Sequence, residues 1–115
     1  MPQTFDQAEL MGRVDNDTAF LAETVEMLVS DGPTLMAQIR ASITAGDAPA
    51  LGRHAHALKG MISNFCAAGA QAAALELEKL GKAGNLAPAP AAADAAQRHL
   101  QALTDELVAF VKASS

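Results

Sequence analysis

Apolar residues recur at helical spacing along most of the chain, and no segment keeps the period of two that a half-buried strand requires. A short first helix is predicted from Thr4 to about Val14, with Thr4 and Gln7 placed as the two ends of a capping box. Asp15-Asn16-Asp17 reads as a turn whose last residue caps the next helix. Phe20, Leu21, Val25, Leu28 and Val29 lead on to Leu35, Met36, Ile39 and Ile43. They predict one long helix, kinked or broken near Pro33, because proline removes an intrahelical hydrogen bond. Ala45-Gly46 ends it, Asp47 caps the third segment, and Pro49 suits a first turn. That third segment runs from about Ala48 to Phe65, with Leu51, Ala55, Leu58, Ile62 and Phe65 on one narrow seam. A turn at Ala67-Ala68-Gly69 precedes a helix through Leu75, Leu77 and Leu80 to about Lys82. Beyond Gly84-Asn85, Ala87-Pro88-Ala89-Pro90 forms a stiff linker. The last helix, from Ala91 to about Ala113, buries Leu100, Leu103, Leu107, Phe110 and Val111.

Short connections between amphipathic helices favour antiparallel neighbours. The predicted fold is therefore all-α, an up-and-down antiparallel four-helix bundle with a short extra N-terminal helix. Composition agrees. The chain has 115 residues, half of them apolar, no Tyr or Trp and four Phe. That length suits a single domain over residues 1–115 and can bury a real core. A formal charge of −5 argues against nucleic acid and against an anionic membrane surface. Cys66 is the lone cysteine, so no intramolecular disulfide can form, and it reads as a small buried hydrophobe rather than a reactive thiol. The first residues lack a signal-peptide pattern and no run reaches the roughly 18 apolar residues of a membrane span. A cytoplasmic monomer is expected, acting as a free-standing protein.

The third segment carries the chemistry, in Arg53-His54-Ala55-His56-Ala57-Leu58-Lys59-Gly60. Each helical residue turns about 100°, which places His56 about 140° from the apolar seam and His54 about 60° from it. The two imidazoles point about 160° apart and cannot chelate one metal together. Gly52 and Gly60 lie four residues to either side of His56, although each interior glycine costs a helix about 1 kcal/mol relative to Ala. They leave the imidazole on a bare face, flanked by Arg53 and Lys59, with Ser63 just beyond Gly60. An exposed imidazole is mostly neutral at pH 7 and is a good nucleophile. Neighbouring cations can offset the charge on a transferring phosphoryl group. Reversible phosphoryl capture fits this pattern; a merely solvated histidine fits the glycines and cations equally well.

His56-Ala57-Leu58-Lys59-Gly60 resembles the H-x-L-K-G signature of histidine-containing phosphotransfer domains, the intermediate carriers of bacterial multistep phosphorelays. Ala55 before the histidine, Ser63-Asn64-Phe65 with Ala67 after it, and Leu77-Glu78 in the next helix extend the resemblance over essentially the whole chain. It implies that His56 accepts a phosphoryl group through Nε2 from the aspartyl phosphate of one receiver domain and passes it to the aspartate of another. Lys59 would help neutralise that group. Glu78 would accept a hydrogen bond from Nδ1 and fix the tautomer, and Gly60 would give the partner clearance. Gly52, Arg53, Met61, Ser63 and Asn64 would complete the docking face. The implied partners are response-regulator receivers and the receiver of a hybrid histidine kinase. No cofactor is expected on this chain, and Mg²⁺ is expected on the receiver. Met61-Ile62 and Cys66 depart from the family, which often has small or hydroxylic residues after the Gly60 position and glycine at the Cys66 position. These departures bear on which partner is chosen.

Gly81-Lys82-Ala83-Gly84 lacks the spacing of a phosphate-binding loop and closes a helix, so the chain has no ATP site of its own and is not read as an enzyme. His99 reads as a surface histidine, and the scattered Met residues as core filler. Inward ligand sets such as Glu-x-x-His are missing, which disfavours a metal or haem bundle. The competing function is an interaction module that binds a regulator or kinase without being phosphorylated. Charge is unevenly spread: residues 1–47 hold 8 acids and 2 bases, residues 48–84 hold 2 and 4, and residues 85–115 hold 3 and 2. The segment carrying His56 is thus the one cationic part of an acidic chain, and it suits the acidic pocket of a receiver.

Overall fold

A computed structural model describes residues 4–114 as five α-helices joined by short connections. They are α1 (Gln7–Arg13), α2 (Thr18–Ala45), α3 (Ala48–Ile62), α4 (Ala68–Ala83) and α5 (Ala89–Ser114), with a single 3₁₀ turn at Ser63–Phe65 between α3 and α4. Helices α2 to α5 form a closed ring in which each packs on its sequence neighbour and α5 returns to α2. Helix α1 lies across one end, tied to the end of α3 by Asp6 N–H donating to Cys66 O at 3.0 Å and Arg13 Nη1 to Ser63 O at 2.8 Å.

Three helices start on aspartate caps. Asp6, Asp17 and Asp47 each accept a backbone N–H three residues on, at 3.0 Å. The first of these replaces the expected Thr4 cap. Phe5 is buried edge-on against Phe110, with ring centroids 5.6 Å apart, and Thr4 N–H donates to Glu106 Oε1. Those contacts draw Thr4 towards α5, and helix α1 begins only after Asp6. Gly46 and Gly84 close α2 and α4 in left-handed conformation, at φ 68° and 70°.

Helix α2 runs unbroken through Pro33. Its buried line is Leu21, Val25, Leu28, Gly32, Met36 and Ile39, with Gly32 pressed against Leu100 so closely that a Cβ there would meet its Cδ2 at 3.3 Å. Packing on both sides of Pro33 outweighs the one lost hydrogen bond. In this register Phe20 and Val29 leave the expected stripe and stand 54% and 43% exposed; Leu75 likewise faces outward. The α3 seam of Leu51, Ala55, Leu58, Ile62 and Phe65 is fully buried. The α3–α4 turn falls earlier than expected, at Ser63–Ala67, with Cys66 in left-handed conformation at φ 55°. Ala68 and Gly69 therefore belong to α4. The expected linker also shortens, because Ala89 and Pro90 enter the first turn of α5, where proline has no intrahelical bond to lose.

Helices α3 and α4 approach closely at a pair of glycines. A Cβ on Gly81 would lie 2.5 Å from Gly52 N, 2.7 Å from Gly52 Cα and 2.9 Å from Ala48 O, all rigid backbone atoms. Gly81→Ala is accordingly expected to lower unfolding stability by about 1–3 kcal/mol, as overpacked sites do. Gly12→Ala, at a helical position with nothing within 4 Å of the added methyl, should instead raise it by up to about 1 kcal/mol. Urea titration of the two variants measures both signs.

Candidate functional site

Helix α3 turns its seam inward and so carries His56 to the opposite side, where its side chain is 67% exposed. The glycine contact between α3 and α4 brings Glu78 beneath it. Glu78 sits one turn before Lys82, with its side chain only 4% exposed. Its Oε2 lies 2.8 Å from Nδ1 of His56, and its Oε1 accepts from Lys59 Nζ at 2.7 Å. Lys82 Nζ reaches Oε2 from the solvent side at 3.2 Å. A buried carboxylate is thus satisfied by three donors, as a buried charge must be.

This cluster fixes the chemistry of the imidazole. A carboxylate can only accept, so Nδ1 carries the proton and donates it, and in the neutral ring Nε2 keeps its lone pair. The ring as a whole is largely exposed, and Nε2 is the nitrogen that Glu78 does not engage. Hydrogen bonds from Lys59 and then His56, with help from Lys82 and against the effect of burial, hold the Glu78 carboxyl at about 2, well below the usual 4.5.

Beside His56 opens a cavity of about 440 Å³ between α3 and α4, walled by Pro49, Gly52, Arg53, Glu78 and Lys82. Gly52 therefore serves two neighbours, lining this cavity while lying against the Gly81 backbone. Gly60 has nothing within 4 Å of an added Cβ and leaves open space one turn past His56. Arg53 is exposed on the cavity wall. Met61, half-buried, packs against the core. Ser63 and Asn64 bond to the carbonyls of Gly60 and Met61, at 2.6 and 3.2 Å, and so finish the end of α3. His54 is half-buried on the flank of α3, and His99 is exposed on α5 beside Gly69.

The structure thus gathers His56, Lys59 and Glu78 into one cluster, puts Gly52 and Arg53 on its wall, and leaves Met61, Ser63 and Asn64 further along α3. Lys82 and Gly81 belong to the site although in the sequence they read only as the close of a helix. The i, i+4 spacing of Glu78 and Lys82 was the available signal. Among the described residues no group of three or more His, Cys, Asp or Glu is placed to hold a metal ion. No helix among them is long and apolar enough to cross a membrane.

A helical bundle that holds one imidazole outward on a buried carboxylate, with cations around it, has the parts of a phosphoryl-carrying histidine protein. A family model, the Hpt domain, matches residues 23–110, and the chain belongs to that family of histidine phosphotransfer domains. The fold is that of the crystal structure of histidine-containing phosphotransfer protein B (HptB) from Pseudomonas aeruginosa PAO1, with a TM-score of 0.89, 24% identity and 97% of each chain covered. No curated protein matches the chain. Membership gives it a histidine phosphotransfer role in a phosphorelay, as a phosphocarrier of the kind that interacts with receiver domains.

The lowered Glu78 carboxyl sets a pH dependence. Its folded value of about 2 lies below the ordinary 4.5, so the unfolded chain binds the proton first. The stabilisation is complete above about pH 4.5 and is lost as pH falls towards 2. In urea melts across that window, the wild-type midpoint should fall more steeply than that of Glu78→Gln, which has no carboxyl to titrate there.

Proposed function

We propose that His56 is the phosphoryl acceptor, and that it takes the group from a receiver's aspartyl phosphate and returns it to the aspartate of a second receiver. The observation that supports this most is the 2.8 Å contact of Nδ1 with Glu78, which leaves Nε2 unprotonated on an exposed ring. In the forward step the Nε2 lone pair forms a bond to phosphorus as the bond from phosphorus to the aspartate oxygen breaks. The electron pair leaves on that carboxylate. No proton moves, because Nδ1 keeps its own throughout. The ring becomes cationic, and the Glu78 carboxylate beside Nδ1 stabilises that new charge. The second transfer runs the same path backwards onto another aspartate.

The partners are response-regulator receivers and the receiver of a hybrid histidine kinase, whose own Mg²⁺ attends the aspartate. The rigid α3 helix contributes position, since the nucleophile is held ready before the partner arrives. Open space at Gly60 gives the receiver room to approach. The protein works as a cytoplasmic monomer.

Incubation with a phosphorylated receiver should place acid-labile, base-stable phosphate on this chain and none on His56→Ala or His56→Gln. Label persisting in both variants would sink His56 as acceptor. Absence of label from every receiver tried, with binding retained, would support an interaction module instead. Gly60→Leu should keep the helical circular dichroism of the wild type but slow transfer at least about tenfold, since a bulky side chain would stand in the approach path. Transfer at the wild-type rate would show that clearance at Gly60 is unimportant.

A further inference from the structure

Two lysines serve Glu78, and their settings differ. Lys59 is mostly buried, its side chain 26% exposed, and donates to Oε1, the oxygen remote from the imidazole. It forms no part of the wall of the cavity beside His56. Lys82 is 73% exposed, holds its carboxylate contact at the longer 3.2 Å, and shares Oε2 with Nδ1 of His56. It also lines the cavity next to the ring. Lys59 is thus committed to Oε1 of the carboxylate, whereas the long, largely exposed Lys82 side chain meets only Oε2 and has donors to spare.

We propose that the two cations divide the work: Lys59 is a positioning residue that holds Glu78 against Nδ1, and Lys82 is the cation that contacts the phosphoryl group on Nε2. The inference rests on the reading of His56 as the acceptor. A phosphoryl group on Nε2 brings about two negative charges to the cavity that His56 and Lys82 both line. Its weak, solvent-screened contact with Glu78 then gives way to a charge-assisted bond to phosphoryl oxygen. Glu78 meanwhile keeps two partners, Lys59 and the imidazole that has become cationic. The cluster goes from one excess positive charge before transfer to about none after it, without moving the buried carboxylate.

Phosphoramidate tests this without any receiver. Attack by Nε2 forms the nitrogen–phosphorus bond to His56 as the donor's nitrogen–phosphorus bond breaks and ammonia leaves with the electron pair. Lys82→Gln should slow this phosphorylation roughly tenfold, less than the hundredfold or more of an enclosed oxyanion donor because Lys82 is screened by water. Lys82→Arg should restore most of the rate. In ¹⁵N spectra of the unphosphorylated proteins, Lys82→Gln should keep the Nδ1–H tautomer of His56, and Lys59→Gln should shift it towards a mixture. The division of labour is overturned if Lys82→Gln reacts at the wild-type rate. It is equally overturned if Lys82→Gln disturbs the tautomer as Lys59→Gln does, or if Lys59→Gln leaves the tautomer unchanged. A protein that reacts with phosphoramidate as expected, yet takes nothing from receivers, keeps this inference and refutes the relay reading alone.

Discussion

Everything at the functional site depends on how closely α3 and α4 approach. The backbone of Gly81 lies where any side chain would strike Gly52 and Ala48, so the helices meet main chain to main chain. Glu78 stands three residues earlier on α4, one turn from that contact, and is carried under His56. If the helices were held apart by the width of a methyl group, the 2.8 Å contact to Nδ1 would lengthen and the ring would lose its orientation. Two glycines that weaken their own helices by about 1 kcal/mol each are thus used to set a distance between helices.

Glu78 converts that distance into chemistry. A carboxylate with a side chain 4% exposed would ordinarily be expensive to keep charged, yet its three donors hold its carboxyl at about 2. It therefore remains an acceptor at any physiological pH, and the imidazole above it has one tautomer to adopt. The bundle itself contributes stiffness. Leu51, Ala55, Leu58 and Ile62 are fully buried, so α3 cannot roll and the angle at which His56 faces the solvent is fixed by the core.

The seam of α3 and the outward direction of His56 were legible in the sequence because both follow from one periodicity, and the structure buries every residue of that seam. The pairing of His56 with Glu78 came from resemblance, since nothing in the spacing of residues 56 and 78 relates two different helices. Lys82 and Gly81 escaped for the same reason. Their roles exist only across the α3–α4 contact, and along the chain they look like the frayed end of a helix. The errors at Thr4, at Ala68 and in the Ala87–Pro90 linker are all boundary errors. At Thr4 and Ala68 a tertiary contact, Phe5 on Phe110 or Asp6 on Cys66, displaced a locally reasonable cap or turn, whereas at the linker Pro90 simply fits the first turn of α5. Cys66 adopts the left-handed conformation at φ 55° that makes glycine the natural choice there. The departure from the family at this position is therefore a backbone cost of about 1–2 kcal/mol, offset in part by the packing of its side chain against the core.

The distribution of charge sets the site apart from the rest of an acidic chain. Lys59 and Lys82 together exceed the single charge of Glu78, and Arg53 on the cavity wall adds a third cation. The remaining acids are concentrated in residues 1–47, which hold 8 of the 13 in the chain. A net positive patch around His56 favours the approach of negatively charged groups to that face. Within the patch the cations are graded by burial, with Lys59 most enclosed and Lys82 largely in water. Water screening leaves the outermost charge least bound to its own carboxylate. That charge is also the one most easily redirected to a phosphoryl group, so the gradient of exposure assigns the binding and holding tasks to different lysines.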